Sequence, residues 1–135
     1  MSFTKNCFIR KNTPELREKL KEIGIPQNDL DDGKRPWIAV NYGYWITVDK
    51  GFDNLPINDI DCGTNINMFL ALAALRNDTD INQWFICKEE YLGDNLRIVP
   101  VGEWQLNVTR HKLTYSLKKL WQKATAEEII EHFNK

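Results

Sequence analysis

Thr13-Pro14 and Gly24-Ile25-Pro26 bracket residues 14–23, and that punctuation constrains the fold more than any other feature of the chain. Thr13 suits a helix N-cap, and Pro14 suits the first helical position, where an N–H has no partner to lose. Gly24 suits the left-handed residue that closes a last turn. Leu16, Leu20 and Ile23 recur at i, i+4 and i+7 and define one buried face, while Glu15–Lys19 and Arg17–Lys21 lie on the exposed side. A helix is therefore fixed between two segments of a different kind. Cys7-Phe8-Ile9 before it reads as a short buried strand. Trp37-Ile38-Ala39-Val40 and Tyr44-Trp45-Ile46-Thr47-Val48 after it are rich in β-branched and aromatic residues. Asn41-Tyr42-Gly43 between those runs predicts a hairpin turn, because Asn and Gly tolerate positive φ.

The alternation continues. Polar loops are expected over 27–36 and 49–63. A helix is expected over 65–76, with Ile66, Phe69, Leu70, Ala73 and Ala74 on one face and Met68, Leu72 and Leu75 on another, so both sides should be covered. Trp84 to Cys87 is a further strand, and Leu96 to Val99 with Trp104 to Val108 add one or two more. Thr125-Ala126-Glu127-Glu128 is a capping box that opens a last helix over 125–133. The expected class is α+β: an antiparallel or mixed sheet of roughly four to six strands packed by two or three helices. Up to residue 90 the order is strand, helix, strand, strand, helix, strand, the β-α-β-β-α-β order of ferredoxin-like sandwiches. Residues 91–135 form a basic extension ending in a helix, within a single domain spanning 1–135.

At 135 residues, with 42% hydrophobic content, the chain can bury a core. Its longest apolar run, Met68 to Leu75, is far shorter than the ~20 residues of a membrane span. No apolar stretch near Met1 reads as a signal peptide. Cys7, Cys62 and Cys87 are odd in number and widely spaced, which suggests neither a disulfide framework nor a zinc site. A cytoplasmic protein without a cofactor or metal is the expectation.

The near-neutral net charge of −1 hides a polar distribution. Between Glu103 and Glu127 there is no acid, yet Arg110, Lys112, Lys118, Lys119 and Lys123 all fall there. Trp104, Tyr115 and Trp121 lie among them, and cations mixed with aromatics are the raw material of a nucleic-acid surface. On a helix, Leu113, Leu117, Leu120 and Trp121 would form one stripe with Lys112, Lys119 and Lys123 opposite. Leu113, Tyr115 and Leu117 also alternate, so helix and strand both stay open for this segment. A packed element with solvated lysines is the simpler account of the same residues.

Other constellations are weaker. Tyr42-Gly43-Tyr44 matches half of an RNA-recognition signature, with Phe8 as a first-strand aromatic. Asn41, Val40 and Thr47 depart from it, and a hairpin turn accounts for the segment more simply. Cys62 precedes a helix, where amides and macrodipole favour a thiolate. It is a candidate reactive thiol, although His111 and His132 are both far downstream. Asp29, Asp31 and Asp32 before Gly33 fail calcium-loop spacing, and Asp59 with Asp61 lack a third ligand in pattern. No P-loop, dinucleotide fingerprint or serine elbow occurs.

The patterns in residues 6–16, in Asp61-Cys62-Gly63-Thr64-Asn65 and in residues 123–133 resemble those of small uncharacterised proteins of Bacteroidetes and their phages. The resemblance implies a mobile-element accessory protein and brings no activity, cofactor or catalytic residue. Together these readings predict a non-enzymatic accessory protein that binds a macromolecular partner or itself, with Trp37, Trp45 and Trp104 as surface candidates. Weak nucleic-acid binding through Arg110, Lys112, Lys118, Lys119 and Lys123, aided by Tyr42 and Tyr44, is the second expectation. An enzyme using Cys62 is the third.

Overall fold

The first helix, α1, runs from Pro14 to Ile23, as its punctuation dictates. Thr13 Oγ1 accepts the Leu16 N–H at 3.2 Å. Gly24, at φ 95°, turns its own N–H to the carbonyls of Leu20 and Lys21. A side chain at that φ would be strained, which is why glycine stands there. Leu16 and Leu20 are the buried residues of the helix.

The computed structural model describes residues 3–27, 35–41, 43–49, 59–93, 96–107 and 120–134. These form nine strands and three helices in mixed and antiparallel sheets, an α+β arrangement. The chain divides into two compact units, Met1–Asn77 with Ala126–Lys135, and Asp78–Thr125.

In the first unit, β1 (Cys7–Ile9), β2 (Trp37–Asn41), β3 (Tyr44–Val48) and β4 (Ile60–Asp61) form a sheet of order β3-β2-β1-β4. β2 and β3 make the expected hairpin: Asn41 pairs with Tyr44, and Gly43 in the turn has φ 82°. Strand alternation splits the residues between two faces. Phe8, Ala39 and Val48 form a cluster on one face, with Trp37 and Ile46 packed against it. Cys7, Ile9, Ile38, Val40, Trp45 and Thr47 project the other way and are buried. The helix α2 (Ile66–Ala73) packs against β1, α1 and the last helix, α3 (Ala126–Phe133). That company explains why Met68, Phe69, Ala71, Leu72 and Ala73 are all buried. α2 ends earlier than the expected Arg76. The Leu75 carbonyl accepts the Thr4 N–H at 3.0 Å, and Arg76 bridges to Phe3, so the N-terminal segment draws the chain out of the helix.

In the second unit, β5 (Gln83–Cys87) is the centre of an antiparallel sheet, between β8 (Trp104–Asn107) and β9 (Trp121–Lys123). β6 (Tyr91–Leu92) and β7 (Ile98–Val99) pair as a separate hairpin. Cys87, Val99 and Trp121 form the core, with Phe85, Tyr91 and Leu120 packed on it. The Trp121 indole N–H donates to the Tyr91 hydroxyl at 2.8 Å, and the two rings meet edge-on.

One expectation is corrected here. The ferredoxin-like arrangement does not form, because β5 belongs to the second sheet. The position parallel to β1 is taken by Ile60–Asp61, whose ladder closes before α2 begins. Of the segment that the sequence leaves open between helix and strand, Leu113, Tyr115 and Leu117 lie outside the described residues. Residues 121–123 are a strand, and their register with Phe85, Ile86 and Cys87 turns Trp121 into the core.

Candidate interaction surface

The cations and tyrosines singled out in the sequence are only partly within reach. Arg110, Lys112, Lys118, Lys119 and Tyr42 lie outside the described residues, as do His111, Asp29, Asp31 and Asp32. Lys123 stands on β9, where its ammonium donates to the Thr79 carbonyl at 2.8 Å and faces Asp80 at 3.6 Å. That charge is engaged within its own unit. Tyr44 is 43% exposed on β3. It shares a face with Phe8 and Trp37, which stack at 5.8 Å with 16° between their planes.

Among the three tryptophans expected at the surface, Trp45 is a correction. It is wholly buried, because the β2–β3 register places it opposite Val40 on the face away from the Phe8 cluster. Its indole nitrogen has no hydrogen-bond partner among the described residues. Trp37 is half-covered beneath the Arg10 guanidinium, 5.0 Å from its ring, and Trp104 meets Trp84 edge-on. The large exposed apolar side chains are elsewhere.

Cys62 is buried where the chain leaves β4. Its N–H donates to the Phe8 carbonyl at 2.9 Å, and its thiol points at the Ile60 carbonyl. It sits beside Cys7. The hydrogen bond with Cys62, then burial, then the neighbouring charges of Cys62 and Asp59 push the Cys7 thiol well up. A raised thiol is a poor nucleophile at neutral pH. Asp59 and Asp61 have separate fates. Burial raises Asp59, whose Oδ2 is enclosed without a partner among the described residues. Burial would also raise Asp61, but the Arg10 hydrogen bond at 2.5 Å, the Gly63 amide at 2.8 Å and the Arg10 charge together lower it. Among the described residues, no three His, Cys, Asp or Glu side chains converge as metal ligands.

The β6–β7 hairpin carries the feature that sequence reasoning missed. Tyr91 pairs with Val99, and both turn inward onto Trp121 and Cys87. Leu92 pairs with Ile98, and by alternation both turn outward. Leu92 is 62% exposed, Ile98 61%, Val101 64% and Leu96, in the turn, 81%. Leu96 also has φ 60°, a conformation that costs a bulky residue steric energy. The turn closes through Gly93 N–H to the Arg97 carbonyl at 2.7 Å, and the Arg97 guanidinium is tied to the Glu103 carboxylate. Thus a backbone constraint and an uncovered leucine fall on one residue at a hairpin tip. The available signal was the pair of apolar doublets, Tyr91-Leu92 and Ile98-Val99, on either side of Gly93-Asp94-Asn95.

No family model, curated protein or solved structure matches the chain. No helix among the described residues is long and apolar enough to cross a membrane.

Proposed function

We propose that this is a non-enzymatic accessory protein, of the mobile-element kind its sequence resembles, that binds a protein partner through the outward face of the β6–β7 hairpin. The observation that carries this reading is the exposure of Leu92, Leu96 and Ile98 together on one short hairpin. Isolated surface leucines need no explanation, but a contiguous apolar group on a tip held in a strained backbone conformation does. Such groups act as anchors that fill pockets in a partner. A cytoplasmic setting agrees with three free, buried thiols.

The test is site-specific photo-crosslinking. A photoreactive residue at position 96 should give a discrete protein adduct in cells of the source organism, and the same residue at exposed Glu22 should not. The adduct should vanish when Leu92→Ser and Ile98→Ser are combined, in a variant whose circular dichroism is unchanged. Equal adducts from both positions would sink the reading.

Nucleic-acid binding through Arg110, Lys112, Lys118 and Lys119 is a second reading, and the exposed Tyr44 favours it as a stacking surface. Fluorescence polarisation with single- and double-stranded oligonucleotides should then show steep salt dependence and a preference for single strands. No binding at low salt ends it.

A further inference from the structure

We draw no further inference here: the strongest candidate, the outward apolar surface patch of Leu92, Leu96 and Ile98 on the β6–β7 hairpin, is the surface already described, and nothing in the structure shows what covers it.

Discussion

Asn65 serves two helices at once. Its Oδ1 accepts the Met68 N–H at 3.0 Å and caps α2, and its Nδ2 donates to the Phe133 carbonyl at the end of α3 at 2.6 Å. Asn65→Ala should cost about 1–3 kcal/mol in urea unfolding, since a cap and a terminal carbonyl both lose their partner. Asn65→Asp keeps the cap but sets a carboxylate against that carbonyl, so it should also destabilise, and the penalty should shrink as the pH is lowered enough to protonate it. The two acids of the β4 segment should respond to pH in opposite senses. Asp61 is lowered in the fold, so its stabilisation is present above the unfolded carboxylate value and is lost as the pH falls through the folded one. Asp59 is raised, so its contribution is full below the unfolded value and is lost as the pH rises through the folded one. Thermal unfolding near neutral pH should therefore show Asp59→Asn more stable than the parent and Asp61→Asn less stable. Both differences should fade toward about pH 3, and two shifts of the same sign would refute the assignment.

At the scale of the element, legibility followed local chemistry. α1 was readable to the residue because Thr13, Pro14 and Gly24 act on backbone groups within one turn. Leu20 is fully buried, so Leu20→Ala should cost about 2–5 kcal/mol by leaving a cavity, measured by chemical denaturation. Gly24→Ala should cost about 1 kcal/mol from φ alone, because a Cβ there would meet nothing within 4 Å. The β2–β3 hairpin was legible for the same local reason. β9 was not. Leu120 and Trp121 satisfy a helical stripe on paper, and only the pairing of Cys87 with Trp121, over thirty residues apart, makes the segment a strand. Trp121→Phe should lose the bond to the Tyr91 hydroxyl and cost about 1–2 kcal/mol, read by the same method. The candidate surface was hidden for a related reason. Composition drew attention to tryptophans, yet register buries Trp45 and leaves Leu92 and Ile98 outside, and register is a property of two segments together.

At the scale of the whole molecule, the sequence order misleads about what belongs together. The first unit takes in residues up to Asn77 and then Ala126–Lys135, with Asp78–Thr125 forming a unit of its own between them. α3 packs on α2 across that interval, with Ile129 wholly buried and Asn65 holding Phe133. A stop after Thr125 would therefore remove a helix on which the first unit depends. On the ribosome, the early strands and α2 must wait, with one apolar flank uncovered, until α3 has left the exit tunnel. Completion of the first unit is thus a late event, and prematurely terminated chains would expose α2 to proteases and chaperones.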